Sequence, residues 1–317
     1  MVDNKYDIVG IGNSIVDVIT DVEDQFLNEH ELRKGLMSLV DLDGIKNISE
    51  KIDIKKTVSG GSVANSIVAL AQNNMKTAFI GKVGIDEVGN AFVDGLNKEN
   101  VFFANDPQSD ESETGRCLVM VTPDAQRTMS TYLGISQKLN SDDVNEDVIS
   151  QSKITYLEGY LWDLDDAQVA IKKATKVAKE NNKIVAFSVS DVFCIERFRD
   201  SFLSLINEEA DIIFANEEEI KSLLGTSDLD ESINIIKDRN KIFAITLGEN
   251  GAMIINNEEV IKIEPQKIDN LVDTTGAGDL FAAGFLLKYI QGQPLEECGK
   301  EGVRFASKVI QIYGARL

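Results

Sequence analysis

The segment Asp273-Thr274-Thr275-Gly276-Ala277-Gly278-Asp279 places a carboxylate and two closely spaced glycines at the start of an apolar stretch, Asp279–Tyr289. If that stretch is a helix, its first N–H groups lack intrahelical partners and its positive end faces outward, an arrangement suited to one anionic group. Phosphoryl transfer needs a positioned hydroxyl, a base for its proton, donors for the transferred group and usually Mg²⁺. Asp279 in the first turn is placed to be the base, although Asp at a helix start is also a common cap. Capping alone does not account for the glycines, which are costly inside a helix.

A second cluster, Ser59-Gly60-Gly61-Ser62-Val63-Ala64-Asn65, puts paired glycines at a turn with Asn65 one helical turn beyond Gly61. It suits either close approach of a polyhydroxylated ligand, hydrogen-bonded by Asn65, or a helix capped by Ser59. Thr246-Leu247-Gly248-Glu249-Asn250-Gly251 follows a strand pattern and reads as a nucleotide-contacting loop or a plain hairpin. Asn216-Glu217-Glu218-Glu219 ends another strand pattern. Its acids can hold Mg²⁺ through water or form a solvated helix start. Gly10-Ile11-Gly12-Asn13-Ser14-Ile15 has Ile15 where a dinucleotide fingerprint needs its third glycine, and no GxxxxGK[ST] stretch occurs.

The elements that would position these residues alternate. Short apolar runs at Asp7–Ile11, Thr77–Ile80, Arg116–Val121, Ile154–Leu157, Ile184–Ser188, Ile212–Ala215, Ile242–Thr246 and Ala252–Ile255 predict strands. Helical spacing predicts helices over Gly61–Gln72, Val88–Asn97, Asp165–Asn181, Glu217–Leu224, Asp230–Arg239, Gly278–Gln291 and Leu295–Tyr313. Such alternation implies a mostly parallel sheet covered on both faces. With four prolines and no repeat or linker, residues 1–317 read as one domain. Segments of about 14–45 and 101–133 break the alternation and are candidates for a small β-sheet lid, or for surface hairpins.

Composition narrows the function. The 317 residues carry 32 Lys+Arg against 53 Asp+Glu, a formal net charge of −21, which disfavours nucleic acid and anionic membrane surfaces as partners. A nucleotide site in such a field needs backbone donors and a metal ion. Cys117, Cys194 and Cys298 are isolated and His30 is the sole histidine, so neither a zinc site nor a disulfide framework is expected. With no leader pattern and no long apolar run, the expected compartment is the cytoplasm. His30 is expected at the surface, and Trp162 with Tyr160 in packing rather than at the substrate mouth.

Taken together, the ordered segments from about Gly10 to Ala306 resemble the ribokinase-like (PfkB) family of carbohydrate and nucleoside kinases. Ser59–Asn65 is similar to its first signature, Asp273–Gly284 to its second, and Asn216 with Glu219 to its NxxE element. The resemblance implies a three-layer α/β/α fold with a central, mostly parallel sheet, a small β lid, and γ-phosphate transfer from Mg·ATP to a primary alcohol. It makes Asp279 the base and the N–H groups of Gly276, Ala277 and Gly278 the anion hole. Asn216 and Glu219 would organise magnesium and water. Thr246, Gly248, Gly251 and Thr275, with Gly278, would lie along ATP. Asn13, Asp17, Gly60, Gly61, Asn65 and Glu158 would hold the acceptor. A monovalent cation such as K⁺ is a further candidate cofactor, and a monomer or homodimer is expected. Gly12–Asp17, Gly60–Ser62, Gly81–Asp86, Asp24–Leu27 and Leu32–Gly35 lean toward the adenosine kinase branch. A free sugar (ribose, fructose, or a 2-keto-3-deoxy sugar acid) and a non-catalytic nucleoside or ATP sensor stay open.

Overall fold

The computed structural model describes residues 4–317 apart from 125 and 258. Its strands are β1 Tyr6–Ile11, β2 Ile15–Asp21, β3 Met37–Leu39, β4 Lys56–Gly60, β5 Thr77–Ile80, β6 Val101–Phe103 and β7 Thr114–Val121. They continue with β8 Arg127–Gly134, β9 Ser152–Glu158, β10 Ile184–Ser188, β11 Ile212–Asn216, β12 Ile242–Thr246, β13 Ala252–Asn256 and β14 Glu259–Ile263. Nine form a large sheet in the order β14-β13-β12-β11-β10-β9-β1-β5-β6. From β12 to β6 every pairing is parallel, and β13 and β14 are antiparallel.

The pleat of the parallel strands divides the core. Ile8, Tyr156, Ala186, Phe214 and Ala244 face one apolar cluster, packed with the helices Ser62–Gln72, Ala277–Ile290 and Leu295–Val309. Their neighbours Val9, Leu157, Phe187, Ile213 and Ile245 face the other, with Asp165–Glu180, Val192–Glu208 and Glu217–Leu224. Strands buried on both faces read as continuous apolar runs, which is why they were visible in the sequence. The expected three-layer α/β/α arrangement is the observed one.

The remaining strands make a second sheet in the order β3-β8-β7-β2-β4. The expected lid stretches map onto it with two changes. Val101–Phe103 pairs with β5 in the large sheet, and Lys56–Gly60, outside both stretches, pairs with β2. The helix Val192–Glu208 was missed because its periodicity breaks at a kink, with Phe198 at φ −127° and ψ 21°. The strand β14 was missed because it is a largely exposed edge.

Candidate active site

The carboxyl ends of β1, β9, β10, β11 and β12 open onto one cleft of about 1030 Å³, with the second sheet as its other wall. Ligands of open α/β sheets bind at that edge of the strands. Asp279 sits half-buried in the cleft, in the first turn of Ala277–Ile290. Its Oδ1 accepts from the Ser62 hydroxyl at 2.6 Å and its Oδ2 from the Asn65 amide at 2.9 Å, while Ser66 Oγ donates to its carbonyl at 2.8 Å. Burial raises the Asp279 pKa, and Asn65, Ser62 and the charge of Arg316 oppose the rise.

This helix has no side-chain cap. Gly276 holds the N-cap position at φ +77°, and a Cβ there would meet the Cβ of Ala315 at 2.5 Å. A Cβ on Gly278 would meet nothing within 4 Å, so space lies open before it. Of the three N–H groups expected to form an anion hole, that of Ala277 is turned onto the Thr274 carbonyl at 3.2 Å. Those of Gly276 and Gly278 meet no protein acceptor among the described residues. Thr275 lies in the same turn, its N–H donating to Asp273 Oδ1 at 3.0 Å.

On the opposite wall, Asp17 projects from β2 between Ile15 and Ile19. No hydrogen-bond donor reaches its carboxylate among the described residues. Burial lifts its pKa to about 6 against the pull of Arg316, with Asp279 adding to the rise and Arg127 opposing it. The paired glycines exist for this wall: a Cβ on Gly60 would lie 2.5 Å from the Asp17 carboxyl, and one on Gly61, at φ +99°, 2.3 Å from the Asn13 carbonyl. They admit protein groups against the backbone, and Gly61 also lines the cleft.

Glu158, at the end of β9, also lines the cleft. It is fully buried, with Oε1 taking the Asn13 N–H at 2.7 Å and the Asn13 amide at 3.1 Å, and Oε2 taking the Val63 N–H at 2.9 Å. Its oxygens accept from protein donors, so it braces Asn13 where both residues line the cleft. Burial pushes its pKa up to about 7, although Asn13 and Val63 lower it and the charge of Asp279 adds to the rise.

Asn216 caps the helix Glu217–Leu224 in a reciprocal box: its Oδ1 takes the Glu219 N–H at 2.8 Å, and Glu219 Oε2 takes the Asn216 N–H at 2.9 Å. Glu219 Oε1 also accepts the Asn216 amide at 2.6 Å. Glu219 is buried, not solvated, which lifts its pKa to about 7, opposed by Asn216 and aided by Asp191. Thr246 lines the cleft at the end of β12. Gly248 and Gly251 lie in the antiparallel β12–β13 hairpin beyond it and do not line the cleft.

Arg127 and Arg316 gave no sequence signal, and the partners of Asp273 were not legible either. Arg127 of β8 lines the cleft with its side chain 9% exposed, pairs with Asp273 at 2.7 Å, and leaves Nε and Nη2 without partners. Asp273 joins that lid arginine to the Thr275 N–H and to the Gly314 N–H at 3.0 Å. Arg316 donates to Asn65. Tyr160 lines the cleft, whereas Trp162 packs on Phe202 as expected, its Nε1 donating to Ser201 at 2.8 Å.

Comparison with known proteins places this arrangement. The fold superposes on the adenosine kinase of Sinorhizobium meliloti with a TM-score of 0.91 at 38% identity, covering 99% of this chain and 96% of that one. A probable sugar kinase of Rhizobium etli CFN 42 gives the same TM-score and identity over 99% and 95%. Adenosine kinase 2 of Arabidopsis thaliana is 26% identical, over 98% of this chain and 96% of its own. Fold and site together define an ATP-dependent kinase. Residues 38–317 match the pfkB family carbohydrate kinase, and the chain belongs to that family.

Proposed function

We propose that the protein moves the γ-phosphate of Mg·ATP to the primary hydroxyl of a nucleoside, with adenosine preferred over a free sugar. The observation that carries the acceptor is the inner face of the second sheet. Alternation along its strands aims Ile15 and Ile19 of β2, Val119 of β7, and Met129 and Leu133 of β8 into the cleft, with Met37 and Leu39 of β3 beside them. A hydroxyl-covered sugar gains little from such a ceiling, whereas a purine gains burial and packing. Asp17, set in that apolar face with no protein donor, suits the vicinal hydroxyls of a ribose.

Asp279, held by Ser62 and Asn65, accepts the proton of the acceptor hydroxyl as its oxygen attacks the γ-phosphorus. The open N–H groups of Gly276 and Gly278 receive the transferred phosphoryl, and the unpaired nitrogens of Arg127 supply a cation from the lid side. ATP lies along Asn216, Thr246 and Thr275. Among the described residues no group of three His, Cys, Asp or Glu side chains could hold a metal. The donor set therefore suits a Mg²⁺ carried largely by phosphates and water, with Glu219 acting through water. No helix among the described residues is long and apolar enough to cross a membrane, and all three cysteines are buried and free, in keeping with a cytoplasmic setting.

ADP release across a panel of nucleosides and sugars tests the reading. Adenosine is expected to exceed ribose and fructose in kcat/KM by at least about 10²-fold, roughly 2.7 kcal/mol of transition-state binding. Asp17→Ala should damage both acceptor classes. A sugar or keto-sugar acid that beats adenosine overturns the nucleoside assignment and leaves the kinase chemistry standing.

A further inference from the structure

Residues 314–316, after the last helix, run beside the catalytic turn, touch it at two successive points and reach the helix Ser62–Gln72 at a third. The Gly314 N–H donates to Asp273, Ala315 packs where a side chain on Gly276 would stand, and Arg316 reaches Asn65. Arg316 Nε donates to Asn65 Oδ1 at 2.9 Å, and its Nη2 contacts the Ser59 carbonyl and, at 3.3 Å, the Ser59 hydroxyl. Ser59 lies in β4 opposite Val16 of β2, so this one guanidinium ties the lid sheet to the helix that carries Asn65.

The chemistry of the amide gives that tie a function. An Asn side chain can present oxygen or NH₂ in either direction. Here a group that can only donate, Arg316, stands on one side, and a carboxylate that accepts, Asp279, stands on the other. Only the orientation with Oδ1 toward Arg316 and Nδ2 toward Asp279 makes both bonds. We infer that Arg316 is a positioning residue for phosphoryl transfer: it fixes the Asn65 amide so that its NH₂ holds Asp279 in the orientation that meets the acceptor hydroxyl.

This inference rests on Asp279 being the base. It also has an electrostatic side. The charged and titratable groups around Asp279 are Asp17 on β2, Tyr156 and Glu158 on β9, Tyr160 just after it, and Arg316. Of these Arg316 is the cation, and its charge pulls down the pKa of both Asp279 and Asp17. Removing it raises the pKa of the base, so the acid limb of the rate profile moves to higher pH.

The test is the pH dependence of kcat and kcat/KM for Arg316→Gln and Arg316→Lys, each also in an Asp279→Asn background, with ATP-analogue binding and thermal melting alongside. Arg316→Gln is expected to lower kcat by about 10- to 100-fold, to leave analogue binding within about threefold, and to move the acid limb upward. Arg316→Lys should restore the position of the limb better than the rate, because lysine keeps the charge and loses the fork. In the Asp279→Asn background Arg316→Gln should cost little more, as expected of residues acting as one unit. An equal loss in both backgrounds, or an unmoved acid limb, overturns the positioning role. Near-normal turnover by Asp279→Asn alone would instead overturn the assignment of the base.

Discussion

Two helix starts face the same cleft and are finished in opposite ways. At Glu217–Leu224 the Asn216 and Glu219 side chains satisfy one another's backbone donors, so the end is closed by its own sequence. At Ala277–Ile290 the cap is a glycine with no side chain, and the donors of Gly276 and Gly278 meet no acceptor among the described residues. The macrodipole points into the cleft at both, but only the second leaves room and partners for an incoming anion. On the proposed reading an anion site is made by withholding a cap, and the carboxylate of the second helix turns to Ser62 and Asn65 instead of closing its own helix.

The sharpest way to break this contrast is to remove the charge at the open end. Asp279→Asn should keep the fold and ATP binding and lower kcat by about 10²–10⁴-fold, checked by steady-state assay beside nucleotide titration. Near-normal kcat would make the Asp a structural group. A gentler change fills the empty space: Gly278→Ala meets no protein atom within 4 Å. It should therefore raise stability by about 0.5–1 kcal/mol through helix propensity while lowering kcat/KM about tenfold. If activity and stability rise together, nothing anionic occupies that space.

At the closed end, Asn216→Ala should cost about 1 kcal/mol in denaturant melts, as lost caps do. Glu219→Gln should raise the Mg²⁺ needed for half-maximal rate by about tenfold if its carboxylate acts through water, and leave that titration unchanged if the box is structural only. A last expectation concerns pH dependence. Asp17, Glu158 and Glu219 carry folded-state pKa values of about 6, 7 and 7, above their ordinary 3.8, 4.5 and 4.5. A raised carboxylate stabilises fully below its unfolded value and loses that contribution as pH rises through its folded value. The unliganded protein should accordingly melt at progressively lower temperature from about pH 5 to pH 7.5, and Glu158 replaced by Gln should flatten that slope.

The contrast also shows what the linear sequence can carry. The open turn was legible because glycine and carboxylate sit within four positions, and the parallel strands because burial on both faces makes them uniformly apolar. The partners of Glu158, Asn13 and Val63, were not legible because they are 145 and 95 residues away. Arg127 and Arg316 were invisible for the same reason: Arg316 meets Asn65 across 251 residues, and no local pattern marks such a pair. The glycines of Gly60-Gly61 were visible, but only packing shows that Asp17 and Asn13 fill the space they leave.

The division of the cleft between two sheets bears on how such proteins diversify. Apart from Arg127 of β8, the groups proposed to handle phosphate lie in residues 273–279 and at the ends of β11 and β12, while the proposed ceiling over the acceptor is written on alternate positions of β2, β7 and β8. Because β2 is pinned by β4 on one side and β7 on the other, single side chains such as Ile15, Ile19, Val119 or Met129 can be exchanged without shifting register. Descent with change of acceptor then needs only a handful of substitutions on one wall, none of which touches the transfer chemistry. That separability would let proteins named for adenosine and proteins named for sugars share one scaffold.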